Sequence, residues 1–579
     1  GCLKYVNIFM MKLLKLNKSS IISAFLIIVG GLFFVGTSAY PYCIQRPGFV
    51  KWSSPDETAN YYFSKLWAET GSLIAKSPIN VPEGVLVRPR SFRVVDDTLR
   101  PVSFVGLPLL YGSLARLSSV DILPYLTPFF AMLGLWAFFS IMRRLFSLPT
   151  AIIGTTLAAT FPVYWYFSAK SMFHNVLFVS CGLMAWYCGL RALDKLRLAR
   201  RRSVSSPLAL ILLALSGLAL GWAIATRTSE LLWLAPVVLI LIIVYFKEIG
   251  WYRWLWWIGW SWIGMLPAVC WNIILYDHWY GGGYPAMSQS VETISQTSLS
   301  LLNFHNLADK FTVLWQTIFH FGFWPERSLT MFKHYVVEMF PWLIPLVLVG
   351  ILVFIFSRRQ WSKGKWLYLL LWILVSVFLV LYYGSWQFND NPDISRFTIG
   401  NSYTRYWLPF YLGALPWAAE GLWRLATFLF RRRLVKPIVA LAVVGLCCWS
   451  LHFTAVGSEE GLKFTAERQV SDYDLWSEVL SRTEDNSIII TLYHDKLFFP
   501  ERQVLVGLFD NHVMNRYYGN LLKKWPVYYF NFRFSDDALE YLNNRRLPPF
   551  GYKLEKILDY NEFALYRLQS IEEQAVDSK

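Results

Sequence analysis

Long apolar runs dominate the first 453 residues, each close to the roughly 20 residues that a helix needs to cross a bilayer core. Eleven are predicted as membrane helices: 20–40, 121–141, 150–167, 172–190, 206–224, 230–246, 252–275, 338–357, 366–384, 404–428 and 434–453. After residue 453 the pattern changes. Residues 487–492 (SIIITL) and 503–508 (QVLVGL) read as buried strands, 535–544 as a helix with an Asp-rich start, and 563–568 (FALYRL) as a last strand. The expected organisation is a polytopic α-helical membrane domain over 1–453 and a small α/β domain over 454–579. A long loop, 41–120, follows the first span.

Composition agrees with this pattern. Hydrophobic residues make up 55% of the 579 positions and charged residues 16%, where soluble domains carry roughly 25% charged. A disordered chain, a coiled coil and a disulfide-built secreted domain are excluded. None of the seven cysteines lies in a CxxC pair, so no zinc site is expected either.

The net charge of +16 is segregated: residues 454–579 carry −5 and residues 1–453 carry +21. Nucleic acid is therefore not an expected partner. With the N-terminus in the cytoplasm, the inside segments would be 1–20, 142–149, 191–203, 247–254, 358–365 and 429–436. Together these hold 22 Lys and Arg against two acids, Asp194 and Glu248. Such an excess on one face sets orientation. The loops 41–120, 276–337 and 385–403 and the α/β domain are then extracytoplasmic. The first run follows Lys12, Lys15 and Lys18, as a signal peptide would. Its 20 residues are long for a signal segment, so it is expected to stay as an anchor.

Ionisable residues are sparse inside the predicted spans and gather near their outer ends and in the outer loops. Transport paths need them at mid-membrane, so chemistry at the outer surface on a lipid-borne substrate fits better. The first outer loop begins Trp52-Ser53-Ser54-Pro55-Asp56-Glu57, a helix start with acids in the first turn. Asp56 and Glu57 are candidate general bases or caps. Downstream lie Arg88, Arg90, Arg93, Asp96, Asp97 and Arg100. Arginines hold phosphate, and a carboxylate within reach takes a hydroxyl proton. The plain alternative is that Asp96 and Asp97 pair with Arg90, Arg93 or Arg100.

Four segments carry a resemblance. They are Asp56-Glu57 after the first span, 221–227 (GWAIATR), 272–285 (NIILYDHWYGGGYP) and 404–409 (TRYWLP). In order, spacing and sidedness this set resembles the GT-C superfamily of glycosyltransferases that use polyprenyl-phosphate sugars. The nearest likeness is to its protein O-mannosyltransferase and aminoarabinose transferase branches. It covers most of 20–453.

The resemblance implies an inverting transfer outside the cytoplasm, from a polyprenyl-phosphate sugar to a glycan, lipid or protein hydroxyl, in contact with membrane lipids. Carried over by position, Asp56 is the base and Glu57 a supporting acid or cap. Asp96, Asp97, Arg100, Lys170, His174, Arg227, Tyr284, Arg405 and Tyr406 are candidate substrate-binding residues. No resident metal is assigned. A divalent ion, Mg or Mn, is a possible cofactor, and Asp56, Glu57, Asp96, Asp97 and His278 are the oxygen- and nitrogen-bearing candidates for it.

The protein O-mannosyltransferases carry an extra domain in a middle loop. No equivalent is visible in 276–337, which counts against a protein acceptor. The one Asn-x-Ser/Thr sequon, Asn17-Lys18-Ser19, falls on the cytoplasmic side. This favours a prokaryotic inner membrane and an undecaprenyl-type carrier. The alternatives are an O-antigen ligase or polymerase, a transporter or flippase, and a non-catalytic assembly partner.

Overall fold

The computed structural model describes residues 18–77, 79, 86–279, 315, 316, 318–357, 361–388, 390, 396–457 and 459–571. The chain forms two compact units. One comprises Gly1–Pro41, Pro124–Val269 and Ser288–Phe464; the other comprises Tyr42–Leu123, Cys270–Met287 and Thr465–Lys579. This grouping differs from the expected division at 453, because it places the first outer loop with the α/β tail.

The first unit is helical. Among the described residues, eight helices are long and apolar enough to cross a membrane, and nine if the pair Pro325–Glu338 and Leu343–Phe356, bent by 92°, counts as one span. The protein is an integral, multi-pass membrane protein. Besides that bent pair, which replaces the expected run at 338–357, two of the eleven expected runs are built differently. The run at 150–167 is two helices, Leu148–Thr160 and Pro162–Lys170. Phe161 between them sits at φ −61°, ψ 125°, because the residue before a proline is pushed out of the helical region. The run at 404–428 is a short turn, Ser402–Tyr406, followed by the 22-residue helix Leu408–Leu429.

That last helix carries a buried acid which the sparse-charge reading passed over. Glu420 is 1% exposed. Its carboxylate accepts from Thr150 Oγ1 at 2.5 Å and from Arg424 Nε at 2.9 Å, so the charge is satisfied locally.

The second unit has a helical pair, a hairpin and a sheet. The helix Pro55–Thr70 starts where the sequence places it. Ser54 is its N-cap, Pro55 opens the first turn, and Ser54 with Glu57 forms a capping box. Its buried face includes Ala59, Phe63 and Ser64, and it packs on the helix Gly106–Arg116. Between them runs a three-stranded antiparallel sheet of β1 (Ala75–Lys76), β2 (Phe92–Val95) and β3 (Thr98–Pro101), in the order β1-β3-β2.

The tail folds as the expected α/β element. Its strands are β4 (Ile488–Thr491), β5 (Gln503–Val506), β6 (Val527–Phe532), β7 (Tyr552–Tyr560) and β8 (Phe563–Ser570), in the order β5-β4-β6-β8-β7. The pairs β4–β5 and β4–β6 are parallel, and β6–β8 and β7–β8 antiparallel. β4 is buried at every position, as a β-branched run covered on both faces should be.

Candidate functional site

In the second unit the site begins at Asp56. Being the second residue of a capped helix fixes its backbone, and its side chain is half-buried. Asp56 Oδ1 accepts a hydrogen bond from Ser91 Oγ at 2.8 Å. Ser91 holds a left-handed backbone, φ 65°. Its neighbour Arg90 is clamped by Asp495, which accepts from the Arg90 backbone N–H at 2.9 Å, from Nε at 3.2 Å and from a terminal nitrogen at 2.6 Å. Asp495 is fully buried. Burial alone would raise its carboxyl, but Lys496 and Arg90 together hold it below the ordinary carboxylate range. Glu57 is buried, and its carboxylate accepts from the Ser54 N–H at 3.0 Å, so the geometry gives it the capping role.

Asp96 and Asp97 are the two central residues of the β2–β3 hairpin, at φ 46° and 55°. Two consecutive left-handed residues make the turn that suits the twist of a two-residue hairpin, and Asp tolerates that conformation. Of the arginines offered as their partners, Arg90 takes Asp495. Arg93 donates to the Leu275 carbonyl and lies over the Tyr276 ring at 4.7 Å. Arg100 donates to Thr98 Oγ1 at 2.9 Å.

Among the described residues, no group of three or more His, Cys, Asp or Glu comes together that could hold a metal ion. Asp56, Glu57, Asp96, Asp97 and His278 are not brought together as such a group.

In the first unit, Arg227, Arg405 and Tyr406 come together. Arg227 follows the helix Pro207–Thr226 as its C-cap and is 7% exposed. That helix approaches its neighbour closely: a Cβ on Gly221 would lie 2.0 Å from the Ser261 carbonyl oxygen, so the small residues of 221–227 serve packing. Arg227 Nε donates to Glu230 Oε1 at 2.9 Å, and a terminal nitrogen donates to Tyr383 Oη at 3.3 Å. Tyr383 in turn donates to Glu230 at 2.7 Å, and Trp233 Nε1 donates to the other carboxylate oxygen at 2.5 Å.

Tyr383 stacks on Tyr406, with ring centroids 4.4 Å apart. The Arg227 guanidinium lies 4.7 Å from the Tyr406 ring and that of Arg405 lies 5.2 Å from it. Arg405 also rests on Phe173 at 4.9 Å and donates to Ser402 Oγ at 2.8 Å. His174 follows Phe173 and opens the helix His174–Arg202; Lys170 ends the helix before it. The break between them is strained, with Ser171 and Met172 at φ 63° and 51°. Lys170 and His174 are buried. Tyr284 lies outside the described residues, as do the glycines of 281–283 and most of the middle loop.

Glu230 and Tyr383 were missed in the sequence. Glu230 was legible as the lone acid three residues after Arg227, one helical turn on, in an apolar setting.

An apolar groove of about 290 Å³ also runs through the first unit, with Trp186, Leu213, Trp233, Tyr245, Trp257 and Tyr368 among its walls. From Trp233 to Ile249 it follows one helix for about 24 Å.

Several solved structures share this architecture. ArnT from Cupriavidus metallidurans bound to undecaprenyl phosphate aligns with a TM-score of 0.54 and 11% identity, over 95% of this chain and 98% of that one. The oligosaccharyltransferase AglB from Archaeoglobus fulgidus, in complex with an inhibitory peptide and a dolichol-phosphate, aligns at 0.50 and 11%, over 94% and 74%. A structure of the Archaeoglobus fulgidus oligosaccharyltransferase with zinc and sulfate aligns at 0.50 and 11%, over 94% and 72%. The chain shares the fold of these structures. No family model and no curated protein sequence matches it.

Proposed function

We propose that this protein is a membrane glycosyltransferase that moves a sugar from a polyprenyl-phosphate carrier to an extracytoplasmic hydroxyl. The carrying observation is the paired guanidinium groups of Arg227 and Arg405 on one tyrosine ring, within the same helical unit as a long apolar groove. A phosphate head and an isoprenoid tail need these two chemistries together. The fold shared with ArnT, a structure of which holds undecaprenyl phosphate, supports the same substrate class.

The reaction needs two things from the protein. The acceptor hydroxyl must lose its proton as it attacks the anomeric carbon. Asp56 takes that proton, with Ser91 donating a hydrogen bond to its Oδ1. The leaving phosphodiester gains charge as it becomes a phosphomonoester. Cations fixed in advance by ring stacking offset that charge without reorganising. Arg405 is the principal cation, because Glu230 already balances Arg227. Lys170 and His174 support it from the helix ends. The acceptor is a glycan, lipid or protein hydroxyl. The predicted orientation puts the N-terminus in the cytoplasm and the α/β tail outside, in a prokaryotic inner membrane.

Asp56→Asn tests the base. Transfer from a polyprenyl-phosphate sugar should fall roughly 100- to 10,000-fold while the protein still folds. Undiminished transfer would remove Asp56 from the chemistry.

A further inference from the structure

We infer that the α/β tail positions the base: Asp495, through Arg90 and Ser91, sets the geometry of the Asp56 carboxylate. This rests on the assignment of Asp56 above and adds a control that the reaction itself does not require.

Each link is a short contact within the second unit. Asp495 lies in the first turn after β4 and is fully buried. A buried carboxylate is costly unless its hydrogen bonds are met; Asp495 accepts three from Arg90, and Lys496 Nζ stands 3.4 Å from its Oδ1. The two side-chain contacts form the planar fork that only arginine offers. The third, to the Arg90 backbone N–H at 2.9 Å, fixes the main chain itself. The next residue, Ser91, is thereby held at φ 65°, a conformation that a serine does not choose unaided. In that conformation its hydroxyl reaches Asp56 Oδ1 at 2.8 Å. A relaxed backbone at Ser91 would carry the hydroxyl elsewhere.

The arrangement bears on catalysis more than on binding. Ser91 occupies one carboxylate oxygen and so fixes the rotation of the group. The syn lone pair of the other oxygen is then aimed in one direction. A base needs this alignment at the moment of proton transfer, and small misplacements cost large factors in rate. Ser91, Arg90 and Asp495 are positioning residues; they act through Asp56.

Ser91→Gly is the informative variant. Glycine adopts φ 65° at no steric cost, so the fold is kept and only the donor is lost. It should lower kcat about ten-fold, the scale of one hydrogen bond to a charged group, with KM for the polyprenyl-phosphate sugar unchanged. Asp495→Asn should do the same. The double variant Ser91→Gly with Asp495→Asn should be no slower than either alone, since both act on one link. In an Asp56→Asn background, Ser91→Gly should cost less than about two-fold.

The outcomes separate cleanly. If Asp56→Asn is inactive but Ser91→Gly keeps full kcat, the positioning role is wrong and the base stands. If Ser91→Gly is slow and Asp495→Asn is not, the tail has no part in it. Losses that multiply in the double variant, or a rise in KM with kcat unchanged, overturn the chain of contacts. If Asp56→Asn transfers sugar normally, the base assignment falls, and the inference falls with it.

Discussion

Arg227 donates to Glu230 at 2.9 Å with both side chains almost completely buried, at 8% and 3% exposure. The two residues sit three apart across the junction of two apolar helices. Tyr383 and Trp233 donate to the remaining carboxylate sites, and Tyr406 covers the guanidinium face. The pair is a closed polar knot in an apolar surrounding. Read from the sequence, Arg227 is a cation awaiting phosphate; in the structure its charge is already balanced.

The knot predicts an asymmetry in stability. Glu230→Ala leaves a buried guanidinium without its counter-charge and should cost about 3–5 kcal/mol. Removing both charges, as in Arg227→Met with Glu230→Gln, should cost less than the single change. Thermal unfolding in detergent distinguishes the two. A Glu230→Ala protein as stable as the parent would show that the pair carries no such penalty.

Donor affinity should follow Arg405 more than Arg227. Arg405 is held by Ser402, Phe173 and Tyr406, while Arg227 must share its charge with Glu230. Arg405→Ala should weaken polyprenyl-phosphate binding by roughly 10- to 100-fold, the scale of one or two charge-assisted hydrogen bonds. Arg405→Lys should recover little, because an ammonium cannot lie flat between Phe173 and Tyr406. Titration with a labelled polyprenyl phosphate measures this, and parental affinity in Arg405→Ala would contradict it.

These assignments show what the chain discloses by pattern and what it hides. The helix start at Pro55 was legible because proline, two acids and a preceding serine are local signals. β4 and β5 were legible because β-branched runs are. β6 (VYYFNF) lacks β-branched alternation beyond its first residue, and β7 (YKLEKILDY) mixes charge into both faces; pairing defines them, β6 with β4 and β8, and β7 with β8. Asp96-Asp97 reads as an acid cluster because charge is conspicuous in a loop. Its structural reason is turn conformation, which the same two letters encode equally well. The Arg90–Asp495 clamp joins residues 405 apart in sequence, and no periodicity announces such a pair.

His494 makes the second unit sensitive to acid. The residue is 9% exposed, its Nδ1 is buried with no hydrogen-bond partner among the described residues, and the ring packs against Phe530 and Phe563. Burial first, then Lys496 and Arg468, lower it to about 4, with Asp495 opposing. The unfolded chain protonates near 6.5, so between those values the unfolded state binds more protons. Stability is full above pH 6.5, falls as pH drops toward 4, and then levels off, a loss of about 3 kcal/mol. Asp472, raised by burial, opposes this at the acid end. Unfolding of the full chain at pH 7 and at pH 4.5 should differ by less in His494→Phe; equal slopes in the two proteins would exclude the histidine as the cause.

Two glycines set how closely the helices Leu343–Phe356 and Leu408–Leu429 approach. A Cβ on Gly421 would stand 2.0 Å from the Leu346 carbonyl oxygen, and one on Gly350 would stand 2.1 Å from that of Trp417. Both obstacles are backbone, so no side chain can swing aside. Small residues permit this backbone-to-backbone contact between membrane helices. Gly421→Ala must push the helices apart and should cost about 1–3 kcal/mol or more. The shift would also disturb Trp417, which is fully buried beside Tyr368 and Phe354. Gly445→Ala is the matched control, because a Cβ there meets nothing within 4 Å and alanine is the better helix former. Melting temperature and recovery of monodisperse protein should fall for Gly421→Ala and hold or rise for Gly445→Ala. Equal behaviour of the two would mean that the helices are not in backbone contact at this crossing.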